Sequence, residues 1–265
     1  MKQLLVALCA AACAACDTSG RDVSTGAGLE RPGALSIAAA SDLRYALDEL
    51  ARAFGERHGG IGTAVSYGSS GNLHAQIVNG APFDLFLSAD VAYARDLEGR
   101  GAVRPGSVFT YAEGRLVVWV PNVSALDIER RGLAALTDSS IAHVAIANPE
   151  HAPYGRAAEA VLRAAGHLDQ VKPKLVLGEN ISQTLQFVQS GAAQAGIVAL
   201  SLALAPPVAS TGRYWVVPAD MHSPIEQGGA VLQSAQHVEA AEAFRAFLIG
   251  EEGRAILERY GFTVP

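Results

Sequence analysis

The sequence predicts an α/β fold with mainly parallel strands. From residue 34 onward, short apolar runs alternate with amphipathic segments of helical period, the pattern of repeated strand and helix units. Four of the apolar runs end in small or polar residues that open a helix, at Ser41, Ser70, Tyr154 and Ile181. In an open α/β sheet the carboxyl ends of the strands share one edge, and ligands bind there. At 265 residues the chain is long enough for two lobes, taking roughly 100–200 residues per domain.

Leu35 to Ala39 is the first predicted strand. Ser41 or Asp42 then caps a helix in which Leu43, Leu47, Leu50 and Phe54 recur on one face, until Gly59-Gly60 stops it. Thr63 to Ser66 is the second strand, and Tyr67-Gly68-Ser69-Ser70-Gly71 is a small-residue turn into a helix over Leu73 to Val78. In that turn Gly68 and Gly71 give clearance for a close backbone approach, and the serines bring hydroxyls beside helix-start N–H groups. That combination suits an anion. Ser69 itself reads as a plain turn residue.

Pro82 to Leu87 is a third strand, and Ser88-Ala89-Asp90 caps a helix running to Glu98. Leu116 to Pro121 is apolar on both faces, as expected of a buried strand. His143 to Ala147 follows, then the loop Asn148 to Gly155 and an alanine-rich helix from Arg156 to Ala165. Lys174 to Gly178, a helix over Gln183 to Gln189, and Gly196 to Leu200 repeat the theme. A short strand over Tyr214 to Val217 and two helices, Glu239 to Leu248 and Glu251 to Tyr260, complete the expectation.

Half of the residues are hydrophobic and 17% are charged, a well-packed globular composition. The formal charge is −6 and no basic run occurs, which argues against nucleic acid as a partner. Residues 1–16 read as a signal segment: Lys2, an apolar run from Leu4 to Ala15, then the polar Asp17-Thr18-Ser19-Gly20. Export is expected. The apolar run is too short to span a membrane, and no later one reaches the roughly 18 residues that would. Cys9, Cys13 and Cys16 all lie in this segment, so the folded body has no disulfide framework. Ala14-Ala15-Cys16 resembles a lipoprotein cleavage box, with Cys13 where leucine is usual, so lipidation at Cys16 and ordinary cleavage both stay open. Residues 17–33, rich in Gly, Ser and Thr, read as a flexible tether.

No catalytic constellation is legible. Gly68-Ser69-Ser70-Gly71 lacks the Gly-x-Ser-x-Gly spacing of a nucleophile elbow, and no phosphate-loop motif occurs. The seven histidines are scattered without a His-x-x-x-His pair and read as surface or loop residues. Asp84 and Asp90 read as strand-end and cap residues rather than paired acids. The expectation is a binding protein without cofactor or free metal ion. Ser41 and Ser70 suit that role: hydroxyls and helix-start N–H groups hold a tetrahedral oxyanion without any cation, at roughly 1.5–3 kcal/mol per hydrogen bond to a charged group. Helix capping is the plain alternative for each serine, and the two roles are compatible.

Several blocks go beyond this generic scheme. Ala39-Ala40-Ser41, Tyr67 to Gly71, Gly80 to Asp90, Asn148 to Arg156, Lys174 to Ile181 and Tyr260-Gly261-Phe262 together resemble the periplasmic molybdate-binding proteins of ABC transporters. The resemblance runs in order from residue 34 to the C-terminus. It implies a type II periplasmic binding protein fold, two α/β lobes with a ligand cleft between them, the first comprising 34–113 plus 220–265 and the second 114–219. It also implies an oxyanion held by Ser41 and Ser70 from the first lobe and by the backbone N–H groups of Tyr154 and Ile181 from the second.

Two departures from the family pattern stand out. Many members carry a ligand-touching tyrosine where this chain has Ala199, and a backbone donor at Asp42 compensates in the subgroup this chain resembles. The Asp42 carboxylate is then expected to point away from the anion or to cap the helix, because like charges a few ångströms apart weaken binding.

The function implied is a monomeric periplasmic receptor that captures molybdate, and tungstate with it, for a membrane permease and its ATPase. The alternatives are a receptor for sulfate or phosphate, an exported hydrolase using Ser70, and a sensory module docking on a membrane receptor.

Overall fold

A computed structural model describes residues 34–265. The expected signal segment, the tether and Cys16 lie outside the described residues. Among those described, ten strands run in chain order as β1 (Leu35–Ala40), β2 (Thr63–Gly68), β3 (Leu85–Ser88), β4 (Phe109–Gly114), β5 (Leu116–Pro121), β6 (Val144–Ala147), β7 (Leu175–Gly178), β8 (Ala195–Ala199), β9 (Gly212–Val216) and β10 (Ile225–Val231). The helices are α1 (Arg44–Arg57), α2 (Ser70–Val78), α3 (Val91–Gly99), α4 (Ile128–Arg131), α5 (Pro153–Ala164), α6 (Leu168–Val171), α7 (Ile181–Gln189), α8 (Leu200–Ala203), α9 (Pro206–Ala209), α10 (Val238–Ile249) and α11 (Glu251–Arg259).

Two five-stranded sheets result, one per lobe, in the orders β2-β1-β3-β10-β4 and β7-β6-β8-β5-β9. Only Arg115 separates β4 from β5, and the chain returns to the first sheet between Val216 and Ile225. The sheets are mixed, which corrects the expectation of mainly parallel strands. β1 pairs in parallel with β2 and β3, but β10 is antiparallel to β3 and β4. β6 is parallel to β7 and β8, but β5 is antiparallel to β8 and β9. The reversed strand in each sheet is the one that enters from the other lobe. It arrives without the helical crossover that a parallel neighbour requires, so it runs against its partners.

Pattern reading misses β4 and β10. Ile225-Glu226-Gln227-Gly228-Gly229-Ala230-Val231 carries a charge and two glycines, which strands disfavour. The glycines are there for packing. A Cβ on Gly228 would sit 2.4 Å from Val91 Cγ2, and one on Gly229 would sit 2.5 Å from the Phe86 carbonyl oxygen.

The first lobe packs α1 over its sheet through Ala46, Leu47, Leu50 and Phe54, all buried at helical spacing. The Phe54 ring meets Phe244 and Phe247 of α10 edge-on, at 5.0 and 5.7 Å between centroids. In the second lobe β5 is buried from Leu116 to Val120, as its two apolar faces predict.

The helix starts depart in places from the expected bounds and caps. α5 begins at Pro153 and α7 at Ile181, earlier than the expected Arg156 and Gln183. Proline is pre-set for a first helical position, and the Asn180 side chain caps α7 by accepting from Gln183 N at 3.1 Å. In the first lobe a 3-10 turn, Ser41–Leu43, precedes α1, and neither the Ser41 nor the Asp42 side chain caps it, contrary to expectation. Asp90 does cap α3, accepting from Ala92 N at 2.9 Å. Gly155 lets the start of α5 press on the end of β6, since a Cβ there would lie 2.1 Å from the Ala147 carbonyl oxygen. Gly155→Ala is therefore expected to lower stability by about 1–3 kcal/mol in urea denaturation; an unchanged midpoint would show that the contact is not tight.

Candidate functional site

Ser41 and Ser70 are each the first residue of a helical segment, Ile181 opens α7, and Tyr154 is the second residue of α5. N–H groups in a first turn have no partner within their helix and carry the positive end of its dipole. The fold brings these four starts together. Ser41, Asp42, Ser70, Tyr154 and Ile181 line one cavity, with Ala40, Gly68, Ser69, Ala89, Ala152 and Pro153 completing its wall. Its volume is about 10 Å³, room for about one water-sized sphere and far below the roughly 300–1,000 Å³ of pockets that take drug-sized organic ligands. Its wall carries no Lys, Arg or His. Ala199 is buried at the end of β8 and is not part of the wall.

The two serines are set up as donors. Ser70 Oγ accepts from Ala89 N at 3.0 Å, and Ser41 Oγ accepts from Ser182 N at 3.3 Å. With the oxygens serving backbone N–H groups, each hydroxyl proton remains for an acceptor of its own. Neither serine is a side-chain cap.

The lobes touch around this cavity. Ser182 Oγ donates to the Ser41 carbonyl and Ser201 Oγ to the Asp42 carbonyl, both at 2.8 Å. Gly71 N donates to the His151 carbonyl at 2.9 Å, and His151 Nδ1 lies 2.9 Å from Ser69 Oγ. The clearance at Gly71 thus serves the other lobe, because a Cβ there would fall 2.8 Å from the His151 carbonyl oxygen. Ser69, read from sequence as a turn residue, is an interlobe contact. At the rim Arg156 pairs with Asp90 at 2.7 Å, and Asn72 donates to Glu179. These rim groups are partly exposed, so each pair contributes about 0–1 kcal/mol.

Behind the cavity lies a buried polar chain. Gln227 Nε2 donates to Asp42 Oδ2 at 2.5 Å and to the Tyr154 hydroxyl at 3.1 Å, and Gln227 Oε1 accepts from the Tyr111 hydroxyl at 2.9 Å. Asp42 is 1% exposed, and its Oδ1 has no hydrogen-bond partner. Its carboxyl turns toward Gln227, and capping, the other expectation, does not occur. Burial pushes the Asp42 carboxyl up to about 6, against the downward pull of its hydrogen bonds to Gln227 and Tyr154. Burial, reinforced by Asp42, also holds the Tyr111 and Tyr154 hydroxyls well above the ordinary tyrosine range.

Comparison with known proteins gives this arrangement a family. Residues 35–263 match the family described as bacterial extracellular solute-binding protein. The chain belongs to that family. It is a solute-binding protein and not an enzyme. It is 37% identical over 231 residues to the molybdate-binding protein ModA of Rhodobacter capsulatus, covering 87% of this chain and 88% of that one. It is 36% identical over 244 residues to the ModA of Azotobacter vinelandii, covering 91% and 95%. The solved periplasmic molybdate-binding protein of Azotobacter vinelandii has the same two-lobed fold, with a TM-score of 0.80 at 34% identity over 87% of this chain and 99% of that one.

In this solute-binding protein sequence reasoning found the cavity's wall and missed what stands behind it. Gln227, Tyr111, Ser182, Ser201 and His151 escape local rules, because each has a partner 82 to 185 residues away: Asp42 for Gln227 and Ser201, Gln227 for Tyr111, Ser41 for Ser182 and Ser69 for His151. Among the described residues no three His, Cys, Asp or Glu side chains gather to hold a metal ion.

The Asp42 shift has a stability consequence of definite sign. The folded protein holds this proton more tightly than the unfolded chain, so the stability it confers is full below pH 3.8 and is lost as pH rises through about 6. Asp42→Asn, which keeps shape without charge, is expected to exceed the parent in ligand-free stability at pH 7 by up to roughly 3 kcal/mol, the gap closing toward pH 4. Urea denaturation at both pH values measures it, and a pH-independent gap would contradict it.

Proposed function

We propose that this protein captures molybdate, and tungstate with it, outside the cytoplasmic membrane and passes it to a permease driven by an ATPase. It works as a monomer, exported by its N-terminal segment, with Cys16 the residue that would take a lipid. The observation that carries the reading is the cavity itself. Donors from two lobes converge on a small space with no cation in its wall, which suits an anion held by hydrogen bonds rather than by an ion pair. Ser41 and Ser70 would give hydroxyl protons, and Asp42, Tyr154 and Ile181 backbone N–H groups. Each lobe supplies only part of the set, so closure of the lobes is the binding step. The molybdate-binding names of its relatives support the choice among oxyanions.

Because hydroxyl and N–H donors serve any tetrahedral oxyanion, a receptor for sulfate or phosphate is the second reading. Calorimetric titration with molybdate, tungstate, sulfate and phosphate separates the two. Strong heats with molybdate and tungstate are expected, and either no heat with molybdate or a preference for sulfate would reject the first reading. Ser41→Ala and Ser70→Ala are each expected to weaken molybdate binding by about 1–3 kcal/mol. If both variants bind like the parent, the donor set is wrong.

A further inference from the structure

Asp42 is the one acidic residue lining the cavity, and a negative charge beside a captured anion weakens its binding. We propose that Asp42 is a neutral carboxylic acid whenever the oxyanion is held, so that capture of a dianion takes up one proton from solvent at the Asp42 carboxyl. This rests on the reading that the anion occupies the cavity. Nothing is oxidised or reduced: a proton leaves the buffer, and one Asp42 carboxylate oxygen gains it.

Asp42 is sealed from water at 1% exposure and lines a cavity whose wall holds no cation to offset its charge. Oδ2 accepts from Gln227, while Oδ1 is buried and without a partner. An ionised carboxylate leaves that oxygen unsatisfied, at a cost larger than for a neutral group. Protonation removes that charge, and a dianion held in the cavity that Asp42 lines favours the neutral form further. Two negative groups in one dry space disfavour each other's charged form, which is how paired acids come to share a proton.

The surrounding groups offer no other neutraliser. β4 contributes Tyr111 and α5 contributes Tyr154, both neutral through burial. β10 contributes the uncharged Gln227, while its Glu226 faces Arg95 at 4.0 Å. α7 and α8 contain no ionisable residue, and α8 meets Asp42 through the Ser201 hydroxyl on its carbonyl. On α1, Arg44 lies over the Tyr67 ring at 5.0 Å, Asp48 accepts from the Tyr67 hydroxyl, Glu49 is taken by Arg259 and Tyr260, and Tyr45 packs on the core. At the rim, His151 faces Ser69 and Glu179. The upward shift of Asp42 toward about 6 means that an approaching dianion finds a group already easy to protonate.

The test is calorimetry with sodium molybdate between pH 6.5 and 8.5, repeated in buffers of different ionisation enthalpy. The expected result is uptake of close to one proton per molybdate near pH 8, with affinity falling about tenfold per pH unit in the upper half of the range. Asp42→Asn is expected to abolish the uptake, flatten the pH profile and bind molybdate more tightly than the parent at pH 8. His151→Gln is expected to keep the uptake; its loss in that variant would assign the proton to His151 and overturn the proposal. Tight molybdate binding with no proton uptake in the parent would overturn it too, leaving the molybdate reading intact. Absence of molybdate binding at every pH would instead remove that reading and this inference together. If Asp42→Asn does not fold, the proton count of the parent and of His151→Gln decides alone.

Discussion

The carboxamide of Gln227 holds the two lobes in register. It gives one hydrogen to Asp42 of the first lobe and one to Tyr154 of the second, and takes a hydrogen from Tyr111 with its oxygen. Asp42 and Tyr154 both line the cavity as well. Together with the buried Ser182–Ser41 and Ser201–Asp42 hydrogen bonds, the Gln227 side chain ties the two lobes beside the cavity. The rim pairs are partly exposed and individually weak, whereas a buried and fully used amide is expensive to break. Gly114 shares in this arrangement, since any Cβ there would collide with the Tyr154 hydroxyl.

What the sequence discloses is what local rules govern. The end of β1, the turn after β2 and the starts of α5 and α7 combine an apolar run with small residues, proline or a capping Asn, and each element was legible from those signals to within a few residues. The mixed direction of the sheets was not. It depends on which strand crosses between lobes, and β10, with Gly228 and Gly229 at its centre, looks locally like a loop. Gln227 was invisible for the same reason. Its meaning comes from Asp42, 185 residues away. Ser69 and His151 show the converse: each had an adequate local explanation, and each is in fact half of a contact between lobes.

The chemistry of the wall follows from a choice against cations. A lysine or arginine would bind anions of many shapes through charge alone and would lose selectivity as salt screens it. Hydroxyl and N–H donors set by helix starts act only at hydrogen-bonding distance and direction. The serines carry this further, because the backbone N–H groups of Ala89 and Ser182 occupy their oxygens. In the proposed anion site such a hydroxyl would give its hydrogen to the guest, and so would favour a fully deprotonated anion over one bearing a proton where the contact falls.

The placement of β10 has a bearing on how the chain assembles. It lies between β3 and β4, bonded to both, and β3 and β4 are not neighbours without it. Every strand of the other sheet has been synthesised by residue 216, before β10 begins at Ile225. During synthesis, therefore, the lobe that starts first is the one that closes last, around a strand laid into its middle after its neighbour is already complete.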